Sequence, residues 1–472
     1  MTEPETIVRT QFSSETLPTS VQDLPLPRPS FIARILQKLG GGLTLAALFD
    51  QGLVSGANFL TNILLARAFG IREYGVFALA WIAVLFANSL QYALIVTPMM
   101  SVGPKQDEAD RPSYFGAVLM QELSFACIAA LGMFIGIQYS NRLFPEWKVA
   151  GLALPVCGAT LAYLLQEFLR RYFFCTRQSK RALISDIVSY LSQVPIIFWL
   201  GSRHIATLSN ALWIIAATSL AGLLACVHWF EPFTVSWAAF KAVFLRHWRI
   251  SRWLAPTAFL QWGAGNLFLL SAPVFYGAAA SGALRAANNI VGVAHVWFLG
   301  LDNVIPAEAA RRFRHSGPAA LMQYVREVFV RWGGLTLAFA GIIAAFPDFW
   351  LHITYGGKYS QDGDVLRLYA LLYLIIFTLG PLRAGLQALE YTAPVLLAYP
   401  VLIVFSVSLA KPFARGFGLN GVLFGMCCVQ LIMATFMGTA LYLRINRLRK
   451  EAADEEPLFQ QELDEATYKS AD

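Results

Sequence analysis

Long apolar runs separated by short polar loops dominate the sequence. Twelve of them are long enough for a membrane-spanning helix, which needs about 20 apolar residues. No charged residue lies between Glu73 and Lys105 or between Arg415 and Arg444, and only lipid or the centre of a bundle accommodates such runs. The pattern therefore predicts an all-α integral membrane protein of about twelve transmembrane helices. The predicted spans are about 43–66, 74–102, 114–137, 149–169, 182–201, 207–230, 253–276, 280–305, 325–347, 365–388, 392–414 and 419–443.

The composition agrees with this interpretation. Of 472 residues, 57% are hydrophobic and only 14% are charged, so polar side chains are too few to cover a soluble surface. The net charge of +7 is scattered over the loops, whereas binding of nucleic acid requires a basic stripe. Six cysteines lie in or beside apolar runs without the spacing of a zinc site. We therefore predict no metal site, no cofactor, no catalytic residue and no nucleic-acid partner.

Two similar halves are predicted between polar ends. A shift of 207 positions pairs Gly70 with Gly277 and Gly75 with Gly282. Six spans separate the copies, so both halves insert in the same orientation around a pseudo-two-fold axis and enclose a central cavity. The predicted regions are a disordered cytoplasmic head (1–30), an interfacial amphipathic helix (31–42), an N-terminal six-helix lobe (43–230), a cytoplasmic linker between the lobes (231–252), a C-terminal six-helix lobe (253–445) and an acidic cytoplasmic tail (446–472).

The distribution of basic residues predicts the orientation. The loops after the even-numbered spans, together with the two ends of the chain, carry most of the Lys and Arg residues. Cytoplasmic segments carry this excess in membrane proteins. We therefore expect a multi-pass protein of the cytoplasmic membrane with both termini in the cytoplasm.

Polar side chains share one face of the first predicted span. Asp50, Asn58 and Asn62 fall within an arc of about 140° at 100° per residue. A charge at mid-bilayer costs about 2.5–3.5 kcal/mol on insertion scales, so Asp50 needs water, a partner or the interface. The stripe either lines a watery cavity or forms hydrogen bonds to neighbouring helices. We expect the cavity, with Asp50 as a candidate for ion coupling.

A second polar stripe follows the eighth predicted span. Arg285, Asn288 and Asn289 share one face there. A guanidinium can hold a phosphate through two parallel hydrogen bonds, so Arg285 is a candidate substrate-binding residue. The alternative is that Arg285, close to the start of its helix, reaches the lipid headgroups.

Arg383 is a further candidate in the tenth predicted span. It shares a face with Gln387 and Glu390 and follows the pair Gly380-Pro381, which allows a helix to bend. This combination suits a moving, substrate-binding element. The alternative is that Arg383 simply ends near the cytoplasmic interface.

Several short segments resemble one transporter family. They are NFLTNILLARAFG at 58–70, EYGVF at 73–77, YGGKY at 355–359 and GLNGV at 418–422. These segments resemble the polysaccharide transporter and O-antigen flippase family of the multidrug, oligosaccharidyl-lipid and polysaccharide exporter superfamily, and the similarity covers about residues 43–445. The resemblance implies two six-helix lobes, a V-shaped cavity and alternating access. It also implies that basic cavity residues, here Arg285, Arg383 and Arg331, receive a lipid diphosphate.

One departure from the family concerns the substrate. Relatives that flip the peptidoglycan precursor carry several arginines in the first two spans. This chain has Asp50 and a terminal Arg67 in the first span, which argues against that substrate.

These observations predict a transporter and not an enzyme. The expected activity is translocation of undecaprenyl-diphosphate-linked oligosaccharide repeat units for exopolysaccharide or O-antigen synthesis, in contact with the bilayer and with other polysaccharide-assembly proteins. One alternative is a cation-coupled multidrug exporter of the same fold, which would need an acidic cavity. The other is a membrane-embedded glycan polymerase or ligase.

Overall fold

A computed structural model describes residues 42–147, 149–359 and 361–469 of the chain, without the side chains of 42–51, 146, 303 and 451–469. Almost all described residues belong to one compact unit, Ala46–Asp472. The predicted head (1–30) and the interfacial helix (31–42) lie outside the described residues, apart from Gly42.

The described residues form helices joined by short turns. The α-helices are α1 (Gly42–Ala68), α2 (Ile71–Gln91), α3 (Thr97–Val102), α4 (Arg111–Leu143), α5 (Ala153–Cys175), α6 (Ser179–Asp186), α7 (Ser192–Ser202), α8 (Leu208–Cys226), α9 (Trp237–Tyr276), α10 (Ala278–Val291), α11 (His295–Ala345), α12 (Pro347–Tyr355), α13 (Gly363–Ala388) and α14 (Ala393–Lys469). Two π-helical segments, Tyr92–Val96 and Ile187–Leu191, join α2 to α3 and α6 to α7. In the sequence described, no residue is in a β-strand.

The helices account for all twelve predicted spans. Nine described helical stretches are long and apolar enough to cross a membrane. Two of them contain two spans each, because the backbone breaks at Gly317 (φ 72°) in α11 and at Gly418 (φ 63°) in α14. Such φ values are accessible to glycine at little cost. The helix α1 contains the first predicted span and is not among the nine.

The predicted linker between the halves is largely helical. Residues 237–252 begin the 40-residue helix α9 and are therefore not a loop. His247 fixes this part of α9 to α4, because its ring nitrogens lie 2.9 Å from the Tyr114 hydroxyl and 3.0 Å from the Gln121 amide oxygen. Two prolines, Pro256 and Pro273, lie further along α9 without ending it.

The helices α2 and α10 touch through their backbones. A Cβ atom built on Gly75 would lie 1.7 Å from the carbonyl oxygen of Ala278, and one built on Gly282 would lie 2.1 Å from that of Ile71. Ile71 and Ala278 are 207 positions apart, like Gly75 and Gly282. The contact is therefore reciprocal, as expected of an isologous contact about a two-fold axis. This geometry confirms the pseudo-symmetry that the glycine pairs predict.

One apolar core extends across both halves of the bundle. Phe69, Tyr74 and Phe77 of the N-terminal half belong to the same buried cluster as Leu284 and Tyr373 of the C-terminal half. A second buried cluster, which includes Phe115 and Phe173, lies within the N-terminal half. The two halves are thus packed together at the end of the bundle where α2 and α10 begin.

Replacing Gly75 by alanine should separate α2 from α10. The new methyl group would overlap the Ala278 backbone, and overpacking of this kind costs about 1–3 kcal/mol. We expect Gly75→Ala and Gly282→Ala to lower the thermal unfolding temperature of the detergent-purified protein by similar amounts. The control is Gly136→Ala in α4, where a Cβ has no neighbour within 4 Å. Equal unfolding temperatures for all three variants would contradict the packing described here.

Candidate functional site

Arg285 lies in a polar cluster where the two halves meet. Its Nε donates a long hydrogen bond of 3.5 Å to the side-chain oxygen of Asn62 on α1. The Tyr74 hydroxyl donates to the same oxygen at 3.1 Å, and Asn289 Nδ2 donates to the Tyr74 hydroxyl at 2.7 Å. Three helices, α1, α2 and α10, therefore supply this cluster. The backbone contact at Gly75 brings its neighbour Tyr74 within reach of α10.

Arg285 has no ion-pair partner among the side chains that the structure describes, because no described carboxylate lies within 4 Å of its guanidinium. Its surroundings are instead amides and phenols, with Tyr74, Tyr355, Tyr369 and Tyr373 near enough to interact with it electrostatically. Arg285 is half-buried and has five N–H donors, of which the Nε–H group donates to Asn62.

Asn288 begins a second set of hydrogen bonds along α10 and α11. The Tyr373 hydroxyl of α13 lies 3.1 Å from the side-chain oxygen of Asn288 and 3.2 Å from Nδ1 of His295. His295 in turn lines the cavity that contains Arg383. Tyr373, in the tenth predicted span, thus links the side chains of Asn288 and His295 in the eighth predicted span.

Arg383 lies in a separate cavity from Arg285. This cavity has a volume of about 140 Å³ and is lined by Arg383, Asp302 and His295 together with apolar residues of α11 and α13. Arg383 and Asp302 are both exposed and are not within ion-pair distance of each other in the described structure. The cavity therefore contains one charge of each sign.

The first-span residues are mainly used in contacts between helices. Asn62 and Thr61 are buried, and Thr61 accepts a hydrogen bond of 3.1 Å from Gln193 of α7. Asn62 also donates to the carbonyl oxygen of Asn58, at 2.8 Å. These hydrogen bonds hold Thr61 and Asn62 within the bundle, and the cavity role of the first-span residues stays a prediction. The side chain of Asp50 lies outside the described residues, so its role stays a prediction.

Two basic side chains, Arg67 and Lys358, form hydrogen bonds from one half to the other at the end of the bundle where α2 and α10 begin. Arg67 donates to the carbonyl oxygens of Ile353 and Thr354, both at 2.6 Å. Lys358 donates to the carbonyl oxygens of Arg67 at 2.7 Å and Phe69 at 3.3 Å. Each cation lies at the C-terminal end of a helix from the opposite half, where it satisfies orphan carbonyls and the helix dipole.

The N-terminal half contains a buried ionic network. Arg170 of α5 lies 2.7 Å from Asp186 of α6 and 3.3 Å from Glu167. Glu167 accepts a hydrogen bond of 3.3 Å from the hydroxyl of Tyr92, the first residue of a π-helical segment. Gln91, the residue before Tyr92, donates a hydrogen bond of 2.6 Å to the buried Glu122. The local spacing of Glu167 and Arg170 predicts their pairing, whereas the partner of Asp186 comes from another helix.

Solved structures of transporters share this arrangement of helices. An inward-facing MATE-family multidrug-resistance transporter of the MOP superfamily matches with a TM-score of 0.66 and 13% identity over 84% of this chain and 95% of that chain. The chain shares the fold of this transporter. A MOP-superfamily transporter from Pyrococcus furiosus, described as having a binding pocket of reversed polarity, matches with a TM-score of 0.58 and 13% identity over 88% and 98%.

The same fold is found in another conformation of these transporters. An outward-facing MATE-family structure matches with a TM-score of 0.55 and 14% identity over 88% of this chain and 98% of that chain. No protein-family model and no curated protein matches the sequence. The MOP fold confirms the predicted all-α, two-lobed membrane architecture.

Within the MOP fold, the predicted site residues fall into two places. Arg285, Asn289 and Asn62 lie together between the halves, and Asn58 lies one turn before Asn62 on α1. Arg383 lies within the C-terminal half. Asn288 lies between the two places, because Tyr373 contacts both Asn288 and His295.

Removing the charge of Lys358 should weaken the contact between the halves at the end of the bundle where α2 and α10 begin. Lys358→Gln loses two hydrogen bonds to carbonyl oxygens of α1 and its C-terminal turn. We expect a larger separation between spin labels at Arg142 and Gln361 in a background without native cysteines, measured by pulsed electron paramagnetic resonance. Both label positions are exposed. Lys450→Gln, at an exposed position beyond the last predicted span, is the control. An unchanged distance distribution in Lys358→Gln would exclude a role in closure.

Proposed function

We propose that the protein is an alternating-access membrane transporter. The fold is shared with MOP-superfamily transporters, and the match to the inward-facing structure (TM-score 0.66) exceeds that to the outward-facing one (0.55). The backbone contact between α2 and α10 and the Arg67 and Lys358 hydrogen bonds all lie at one end of the bundle. These observations support a state that is closed at this end, which the basic-residue distribution assigns to the outer side of the cytoplasmic membrane.

The proposed substrate carries a phosphate group on a lipid. The observation that carries this proposal is Arg285, half-buried between the halves with no described carboxylate within 4 Å. A buried charge needs a compensating partner, and a guanidinium pairs with phosphate through two parallel hydrogen bonds. An undecaprenyl-diphosphate-linked oligosaccharide supplies this group, so the function is that of a flippase for lipid-linked repeat units. Other polysaccharide-assembly proteins would act before and after it.

A cation-coupled multidrug exporter is the second candidate. The matching structures include multidrug-resistance transporters of the MATE family, so the comparisons favour this candidate over the flippase. The chain also offers Asp302, an exposed carboxylate in a cavity, which could attract an organic cation. The third candidate, a glycan polymerase or ligase, receives no support from a fold shared with transporters.

Substitution of Arg285 distinguishes the candidates. A hydrogen bond to a charged group contributes about 1.5–3 kcal/mol, so Arg285→Gln should slow translocation of lipid-linked oligosaccharide by about 10–100-fold. Arg285→Lys should retain part of the activity because the charge remains. The measurement is the fraction of lipid-linked repeat units facing the cytoplasm in cells that carry each variant at equal protein level.

The control for this experiment is Arg142→Gln, since Arg142 is exposed at the end of α4. Full activity of Arg285→Gln would remove the proposed phosphate site. Normal glycan export combined with loss of drug resistance in Arg285→Gln cells would instead establish the multidrug exporter.

A further inference from the structure

A cavity of about 580 Å³ lies between the N-terminal half and α9. Its walls are the end of α2, the π-helical segment Tyr92–Val96, the start of α3 and the middle of α9. The volume falls within the range of about 300–1,000 Å³ that is usual for ligand pockets. The polar and aromatic side chains that line it are Asn88, Ser89, Tyr92, Thr97, Thr257, Gln261, Trp262 and Asn266.

The lining of this cavity carries hydrogen-bonding groups but no charge. None of the residues that form its wall is Asp, Glu, Lys, Arg or His. The amide of Gln261 and the indole N–H of Trp262 make no hydrogen bond within the described part of the chain. Amides both donate and accept hydrogen bonds, so the wall presents both types of group to a ligand.

Two aromatic rings of the cavity are held in place by neighbours. The Trp262 ring lies 4.5 Å from the Phe86 ring, centroid to centroid. The Tyr92 hydroxyl donates to Glu167 at 3.3 Å, and the Arg171 guanidinium lies 4.9 Å from the centre of the Tyr92 ring. The rings therefore present fixed apolar faces beside the amides.

The backbone of the cavity wall is irregular at the same place. Tyr92 and Ala93 belong to the π-helical segment, and both line the cavity. Single-turn π-helical segments within α-helices occur frequently at functional sites. This observation is independent of the side-chain chemistry and points to the same position.

We propose that this cavity binds uncharged sugar rings, namely the glycan of the lipid-linked substrate. Sugar hydroxyls need donors and acceptors together, and sugar rings present apolar faces that pack on aromatic side chains. A phosphate is bound best beside a basic side chain, and the wall offers none. The proposal rests on the flippase function in taking the cargo to be a glycan, but its residues are distinct from Arg285.

Binding of two lipid probes to the full-length protein in nanodiscs tests the assignment. The probes are undecaprenyl diphosphate and undecaprenyl diphosphate bearing a short neutral oligosaccharide. The protein should bind the sugar-bearing probe about 3–10-fold more tightly, as a few neutral hydrogen bonds allow. Gln261→Leu and Trp262→Leu should abolish this preference while leaving the affinity for the bare lipid unchanged. Trp262→Phe, which retains an aromatic ring, should preserve part of it.

The controls separate this proposal from the flippase function. Gln138→Leu changes an exposed amide of α4 and should leave both affinities unchanged. Arg285→Gln should weaken binding of both probes equally. If Arg285→Gln instead binds both probes as tightly as the unaltered protein, the phosphate site is overturned and the sugar site is unaffected. Equal binding of both probes by the unaltered protein would overturn the sugar site. Loss of tetraphenylphosphonium binding in Trp262→Leu, with the sugar preference retained, would also overturn it, because the cavity would then bind cations.

Discussion

The packing of the two halves against each other depends on the close contact between the backbones of α2 and α10. α2 and α10 approach so closely at Gly75 and Gly282 that neither position has room for a Cβ atom. This approach places Tyr74, the neighbour of Gly75, within hydrogen-bond distance of Asn289 on the opposite half. The polar cluster around Arg285 and the closed end of the bundle both follow from it. A side chain at either glycine would move the two halves apart and break the hydrogen bonds of the polar cluster around Arg285.

The charged side chains inside the N-terminal half differ from Arg285, between the halves, in how their charges are compensated. In the N-terminal half, Glu167 and Asp186 are buried and paired with Arg170, so their charges are compensated inside the protein. Between the halves, the described side chains around Arg285 are amides and phenols, and this difference supports the proposed anionic ligand there. Removing one partner of a buried ion pair costs about 3–5 kcal/mol, which is consistent with a structural role for the paired residues. Arg285, with no described carboxylate within 4 Å, offers the charge that the proposed substrate would pair with.

Much of the fold could be predicted from the sequence, because apolar runs of this length have few alternatives to a membrane-spanning helix. The pairing of Gly75 with Gly282 was visible as a repeat, although only the structure shows that the two glycines touch. The helical start of α9 was not predicted, since its charged residues are typical of a cytoplasmic loop. The contacts of Arg67 and Lys358 could not be predicted either, because their acceptors are backbone carbonyls, which every residue carries.

The proposed alternating access requires that the halves separate where α2 meets α10 each time a substrate is carried across. The most direct measurement is transport by a variant with cysteines at Ile71 and Ala278 in a background without native cysteines, bridged by a short, reducible dithiol reagent. The account predicts that bridging stops transport of lipid-linked oligosaccharide and that reduction restores it. Transport at an undiminished rate by fully bridged protein would show that this contact does not open, and would contradict the account.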